Sequence, residues 1–481
     1  MISPIHLSDF YKTDHRRQYP PGTEMIYSNI TARGSRIPGV DHVVVFGVQY
    51  LIKKYLIDDF NENFFPLPKQ VVIDTYKRRL DNALGVGAVS MDHIAALHDL
   101  GYLPIRIKAL PEGTRCPLRI PFMTIVNTDI RFGWITNFLE TLLCNVLWKP
   151  MTSATMADEY KRLLTHYAVL TGEPSFVPYQ GHDFSMRGMS GIEDACMSGG
   201  GHLLSFVGTD TIPAIDWLEQ YYNADSDKEL IGCSVPATEH SVMCINGPQD
   251  EYDTYHRLLT EVYPKGIVSV VSDTYDYWGI LTNTLPRLKD IIMARDGKLV
   301  IRPDSGDPVK IICGDPNAKA DSPEWWGTMW LLWKTFGGTK NSKGYYQLDP
   351  HIGVIYGDSI TLDRCKAICE GLQHAGFAST NIVFGIGSYT YQYVSRDTFG
   401  FAMKATAAVV NGKLIDIYKD PKTDDGLKRS AKGLLRVNAD LTLTQQCTSE
   451  QEEEGLLRTV FKDGQLMVDD SLAVIRERLI R

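Results

Sequence analysis

No run of about 18 apolar residues occurs anywhere in this chain, which excludes a membrane-spanning helix. Positive charge is scarce too. With 49 Lys and Arg against 58 Asp and Glu, the formal charge is −9, and no domain-wide basic surface for nucleic acid can be assembled. Paired cysteines are missing. The nine cysteines are scattered singly, and the closest, Cys365 and Cys369, stand four apart, which suits one helix face; no CxxC or zinc-type His/Cys array is present. Such an odd, dispersed set reads as reduced thiols in a cytoplasmic protein. The opening MISPIHLSDFYKTDHRRQYPPG has no continuous apolar stretch and carries acids early, so it does not read as a signal peptide. HExxH and close histidine pairs are absent, which argues against a tight transition-metal site. Internal repeats and low-complexity segments are absent as well. What is present is an ordinary globular composition, 44% hydrophobic and 22% charged over 481 residues. That is enough for two or three domains, or one large barrel with additions.

Between roughly 175 and 390 one pattern recurs. A short apolar or β-branched run ends in Gly, Asp, His or Ser, and a helical stretch usually follows. The instances are VPYQGHDFSMRG (177–188), LLSFVGTD (203–210), CSVPATEHS (233–241), IVSVVSDTYD (267–276), LVIRPDSGD (299–307), IGVIYGDSI (352–360) and NIVFGIGS (381–388). Amphipathic segments such as IPAIDWLEQYYN (212–223) and SITLDRCKAICEGLQHAG (359–376) lie between them. Strand, polar turn and helix, repeated about seven times, indicates a parallel α/β barrel or a doubly wound sheet. The barrel is favoured, because its strand ends converge on one mouth and every run here finishes in reactive residue types. The flanks read as short strands at 19–54 and 104–130, and as hairpins with NG and DG turns at 405–465. Segments 133–148 and 155–171 read as helices. The expected architecture is therefore an irregular, TIM-like parallel α/β barrel (146–389) with a mainly antiparallel, β-rich α+β domain built from 1–145 and 390–481. Trp325, Trp326, Trp330 and Trp333, in the segment 314–348, read as barrel-wall cover rather than ligand contacts.

The strand ends carry the chemistry. Asp210, Asp273, Asp304 and Asp358 each close a different run. Singly, each is an ordinary helix N-cap; gathered at one mouth they need a cation, a metal or sugar hydroxyls between them. A loosely held Mg²⁺ shared with substrate phosphates fits that need, although no metal ligand set is assigned. VIYGDS and FGIGS place small residues just before helices, where backbone N–H groups approach an anion, or where strand and helix simply pack tightly. Arg33, Arg187, Arg302, Arg396, Lys404, Lys419 and the cluster LKRSAKG (427–433) bring positive charge suited to a polyanion such as pyrophosphate. His240 follows Glu239, and is either a turn-tying histidine or a nucleophilic or acid–base one oriented by a neighbouring carboxylate. Phe184 either fills the core or stacks on a flat ring.

In this order the segments resemble the type II phosphoribosyltransferase family, which includes the nicotinamide, nicotinate and quinolinate enzymes, and most closely its nicotinamide branch. The carrying motifs are SDFYKTDHRRQYPPGT, HDFSMRG, FVGTDT, SVPATEHS, VSVVSDTYD, IRPDSGDP, GDSI, FGIGS and IYKDP…LKRSAKG, spanning nearly the whole chain. The resemblance implies a glycosyltransferase of pyridine nucleotide salvage. It joins nicotinamide to phosphoribosyl pyrophosphate with Mg²⁺, releasing nicotinamide mononucleotide and pyrophosphate, and ATP hydrolysis through a phosphohistidine assists. It implies a cytoplasmic homodimer with shared active sites and no nucleic-acid or membrane partner. Phe184 and Tyr11, the latter from the partner subunit, resemble the two faces of the pyridine sandwich, Asp210 the carboxamide acceptor, and Arg302 with Asp304 the base- and ribose-binding pair. Gly357, Asp358, Gly387 and Ser388 resemble the ribose and 5′-phosphate region. Arg33, Arg187, Arg396, Lys404 and Lys419 resemble the pyrophosphate and ATP grip, and His240, with Glu239, Asp273 and Asp304, the catalytic group. Ser388 stands where a further glycine is usual, so a hydroxyl would intrude on the phosphate, and 308–350 fits the family loosely. A nicotinate phosphoribosyltransferase and a catalytically silent regulator on the same scaffold are the alternatives.

Overall fold

The β-branched runs of the middle of the chain fold as six parallel strands. They are β1 (Gly181–Asp183), β2 (Gly208–Thr209), β3 (Lys265–Val271), β4 (Asp296–Arg302), β5 (Ile352–Tyr356) and β6 (Ile382–Ile386). Hydrogen-bonded neighbours run β2-β1-β6-β5-β4-β3. The seventh expected strand, within CSVPATEHS, is not one: Pro236 has no N–H to donate, and the segment makes only single bridges. Those bridges reach both edges of the sheet. Cys233 pairs with Gly208 of β2 and Ala237 with Ser269 of β3, so the segment closes the ring. Period-two alternation then assigns the faces. On β4, Leu299 and Ile301 are fully buried outward, while Lys298, Val300 and Arg302 line the interior.

The computed structural model describes residues 2–419 and 430–480, so Lys428 and Arg429 of the expected basic cluster lie outside the described residues. The chain forms two compact units, one of residues Met156–Ile215 and Ser226–Tyr393, the other of Met1–Thr155, Asp216–Asp225 and Val394–Arg481. The first holds the barrel and its covering helices. Leu362–His374 buries Cys365, Ile368, Cys369 and Leu372 along one face. The tryptophan helix Pro323–Phe336 packs Trp330 on Phe377 (ring centroids 5.0 Å apart) and Trp333 on Tyr346 (4.6 Å).

The second unit is built on a seven-stranded antiparallel sheet to which both chain ends contribute. Its order is Lys413–Asp416, Phe401–Val410, Thr23–Ala32, Pro121–Asn127, Ile105–Ala109, Arg458–Lys462 and Gln465–Leu466. Both expected hairpin turns form: Asn411 and Gly412 sit at φ 50° and 71°, Asp463 and Gly464 at 48° and 82°. Two left-handed residues in succession match the right-handed twist of the flanking strands. Two expectations change here. Residues 48–54, expected to be β, instead open a helical stretch that runs to 63, because Tyr50, Leu51, Ile52, Leu56 and Phe60 recur at helical spacing and are all buried. The separate helices expected at 133–148 and 155–171 give way to one long helix, Glu140–Thr171, which runs through Pro150. The Pro150 ring is packed against Gly47 (φ 95°), where any side chain would overlap it. Trp217 and Tyr222, at the end of Ile212–Tyr222, join the same unit by packing on Phe46, 5.9 and 4.8 Å between centroids. All nine cysteines are unbridged. Among the described residues no helix is long and apolar enough to cross a membrane.

Candidate active site

At the carboxyl ends of the barrel strands lies a cavity of about 830 Å³. Phe184, Arg187, Asp210, Glu239, Arg302, Asp304, Gly357, Asp358, Gly387 and Ser388 all line it. Ten sequence-predicted residues from separate strand ends thus share one space. A second cavity, about 220 Å³, fills the barrel interior, and the two have Phe184, Asp210, Ala237 and Arg302 in common.

The RPDSG turn after β4 is held tightly. Arg302 Nη2 donates to Thr238 O at 2.6 Å, while its Nε is buried without a partner. Asp273 Oδ2 accepts from Asp304 N at 3.0 Å and from Ser305 Oγ. These bonds orient the Asp304 side chain against the next turn. A Cβ on Gly357 would stand 2.6 Å from Asp304 Oδ1, so the backbone of this turn approaches the carboxylate closely. Burial raises the Asp304 carboxyl above its ordinary range; Arg302 and His240 oppose the shift, while Asp273 and Asp358 add to it.

Asp210 is held differently. Its Oδ1 accepts from Ser234 Oγ at 2.6 Å and meets His182 Nε2 at 2.8 Å, leaving Oδ2 with no partner among the described residues. Burial pushes this carboxyl up, but the His182 and Ser234 hydrogen bonds and the Arg302 charge outweigh it, and the net shift is downward. Asp210 therefore stays an anion and an acceptor. Phe184 sits beside it, its ring 4.8 Å from that of His182. Gly385 makes room for Phe184, since any side chain at 385 would overlap the ring.

His240 opens the short helix His240–Cys244, and its Nδ1 lies 3.2 Å from Thr274 Oγ1. The neighbouring Glu239 does not orient the ring: its carboxylate accepts from Ser241 Oγ instead. A Cβ at Gly387 would have nothing within 4 Å, so the backbone there is open to close approach, as an anion would need. Ser388 leans on Gly188, whose Cβ position would be 2.6 Å from Ser388 Cβ, so its side chain also packs on the 186–188 turn.

The remaining predicted residues belong to the other unit. Arg33 and Lys404 line a cavity of about 840 Å³ there, together with Arg119, Tyr418 and Lys432. Arg33 Nε donates to Gly400 O at 3.0 Å, and Lys404 Nζ to Met403 O at 2.6 Å. Burial lowers the Lys404 ammonium, Glu140 opposes, and Arg33 lowers it further. Arg396 pairs with Asp397 at 3.1 Å on the surface, Lys419 is exposed, and Tyr11 is 63% exposed.

Sequence reading missed His182, Ser234 and Arg119. His182 had a signal: two residues before Phe184 on a strand, it must share that face. Arg119 had none. It is a non-glycine residue at φ 70°, a conformation visible only in the folded backbone.

A curled parallel barrel sheet whose strand ends bring Phe184, carboxylates and glycine turns onto one cavity is the architecture of the type II phosphoribosyltransferases. The profile of the nicotinate phosphoribosyltransferase (NAPRTase) family matches residues 179–465, and that of the nicotinamide phosphoribosyltransferase N-terminal domain matches 4–107. The chain belongs to the NAPRTase family. It is 54% identical to the nicotinamide phosphoribosyltransferase of Acinetobacter baylyi over 99% of this chain and 97% of that one. The enzyme of the same name from Xanthomonas campestris is 35% identical over 98% and 96%. Among solved structures, nicotinate-nucleotide pyrophosphorylase from Pyrococcus furiosus shares the fold, with a TM-score of 0.60 at 14% identity over 99% of this chain and 95% of that one.

Proposed function

We propose that the chain transfers the 5-phosphoribosyl group of phosphoribosyl pyrophosphate to nicotinamide, giving nicotinamide mononucleotide and pyrophosphate. The observation that carries this reading is the meeting of Phe184, Asp210 and Asp304 on one cavity beside the Gly357 and Gly387 turns. Phe184 stacks on the pyridine, the free Oδ2 of Asp210 accepts the carboxamide N–H, and Asp304 holds the ribose diol. Gly357, Asp358, Gly387 and Ser388 surround the sugar and its 5′-phosphate, and Arg187 answers the phosphate charge. The C1–O bond to pyrophosphate loosens, and the ring nitrogen attacks the oxocarbenium-like carbon from the opposite face. Positioning and charge compensation carry such a step, so no general base is assigned.

Mg²⁺ fits the acidic corner. Asp273 Oδ1 is buried without a hydrogen-bond partner, and the charges of Asp273 and Asp358 already weigh on Asp304. Asp273 and Asp358 would attract the ion as a hydrated cation shared with the substrate phosphates, and bound there it would offset the charge of the departing pyrophosphate. The working molecule is a cytoplasmic homodimer with shared sites, in which Tyr11 and the cations of Arg33, Arg396, Lys404 and Lys419 serve the site of the other subunit.

Arg119 belongs with those cations. A left-handed backbone costs an ordinary residue about 1–2 kcal/mol, and such strain collects at functional sites. Arg119→Gly is expected to cause no loss of thermal stability while raising the KM for phosphoribosyl pyrophosphate about tenfold, the worth of one charge-assisted hydrogen bond. Parallel melting curves and initial rates check both halves.

ATP acts as co-substrate through His240. With Nδ1 facing Thr274, Nε2 is the nitrogen open to phosphorylation. The deciding experiment is a product assay with nicotinamide and nicotinate side by side, each with and without ATP. Nicotinamide mononucleotide is the expected main product, and ATP should raise its yield in the wild type but not in His240→Ala. A dominant nicotinate product would favour the acid-using alternative, and absence of pyrophosphate would favour a silent regulator.

A further inference from the structure

Phe184 and Asp210 follow neighbouring strands, and one carboxylate behind them ties the two strand ends together. Asp183 closes β1, where it pairs with Thr209 of β2, and alternation turns its side chain away from the face of His182. It is fully buried. Asp183 Oδ1 accepts from Ser185 N at 2.9 Å, just past Phe184, and Oδ2 accepts from Thr211 Oγ1 at 2.7 Å, just past Asp210. The main chain adds a third tie, Asp210 N donating to Asp183 O at 3.0 Å. Thr211 is fully buried as well, and its N–H donates to Thr209 Oγ1 at 3.0 Å. The helix Ile192–His202 closes over the pair, for a Cβ at Gly199 would stand 3.3 Å from both Asp183 Oδ2 and Thr211 Cγ2. His202 supplies no counter-charge: burial holds its imidazole well below the ordinary value in spite of the Asp183 anion, so it stays neutral. A buried carboxylate without a cation is a poor way to stabilise a fold. It is a good way to fix a spacing, because its two oxygens accept from two turns at once.

We propose that Asp183 and Thr211 are positioning residues that set the spacing between the Phe184 ring and the Oδ2 of Asp210, and with it the grip on the pyridine carboxamide. The inference rests on the proposed transfer reaction and deepens it. Neither side chain reaches solvent, so both act through the residues beside them. Losing their bond frees the 183–185 turn from the 209–211 turn, and the ring and the acceptor then drift apart. Such a loss touches the base and leaves the phosphate turns at Gly357 and Gly387, which belong to other strand ends, in place.

Thr211→Val removes the hydroxyl at nearly constant volume, and initial rates on the full-length enzyme read the effect. The KM for nicotinamide should rise about tenfold, the worth of one hydrogen bond to a charged group, while that for phosphoribosyl pyrophosphate stays within about twofold. Thr211→Ser, which keeps the hydroxyl, should restore the wild-type value. Asp183→Asn, which sets a donor against a donor, should raise the same KM. The double variant should be no worse than the more impaired single, since both break one interaction. Melting curves show which variants fold. An unchanged nicotinamide KM in a folded Thr211→Val, a parallel rise of both KM values, no rescue by serine, or additive losses would each overturn the proposal. So would failure of both singles to fold, which would make the carboxylate a prop of the fold. A wild type that makes no nicotinamide mononucleotide would overturn the transfer reading and this one with it, whereas normal wild-type turnover with unaltered variants overturns this one alone.

Discussion

Asp210→Asn is expected to erase most of the enzyme's preference for nicotinamide over nicotinate. In the wild type a nicotinate carboxylate about 4 Å from Asp210 would meet roughly 4 kcal/mol of repulsion at an effective dielectric of 20. That upper-end figure is close to a thousandfold preference for the amide. The geometry also decides the sign of the change. His182 Nε2 and Ser234 Oγ both converge on Oδ1, so an asparagine keeps its carbonyl oxygen there and turns its NH₂ to the position of Oδ2. On the proposed pose, a group that accepted from a carboxamide would then donate to a carboxylate. Turnover of nicotinamide should fall about 100-fold, nicotinate turnover should rise, and kcat/KM for each base measures both. If the variant keeps the wild-type preference, Asp210 does not face the carboxamide.

Asp304→Asn should separate stability from activity. Removing the carboxylate proposed to hold the diol is expected to lower kcat/KM by about 10²–10³-fold, the usual cost of losing one preorganised electrostatic contact. The ligand-free protein should gain stability. Burial, with Asp273 and Asp358 nearby, raises the Asp304 carboxyl in the fold, so ionising it costs the folded state free energy. The sign follows by linkage. Below about pH 4 the group is protonated in folded and unfolded chains alike, and wild type and variant should melt together apart from the amide's own contacts. As the pH climbs from there through the raised pKa, the wild type loses stability relative to the variant, and above it the gap is constant. Melting temperatures across about pH 3.5 to 8 test this trend. A variant less stable than the wild type at neutral pH would show that Asp304 is net stabilising. Charge repulsion stored in an acidic corner is then the wrong description.

The parallel barrel and the converging strand ends were legible because each run is β-branched and ends in small or reactive residues, as in LVIRPDSGD. The NG and DG hairpins were legible because only left-handed residues make those turns. His182 was within reach through its period-two relation to Phe184. The orienting role expected of Glu239 failed, since adjacency in sequence does not aim a side chain, and the folded turn sends that carboxylate to Ser241. Ser234 and Arg119 left no local mark. One acts only through Asp210, which is 24 residues away, and the other through a backbone angle.

Residue order alone therefore determined the barrel class, the residue types at its mouth and the lack of a spanning helix, because these depend on composition and short-range periodicity. Which oxygen of Asp210 is free and how closely the 357 backbone approaches Asp304 were decided only by tertiary structure. Each is a distance between segments far apart in the chain, and a distance of that kind exists only once the strands have closed into a ring.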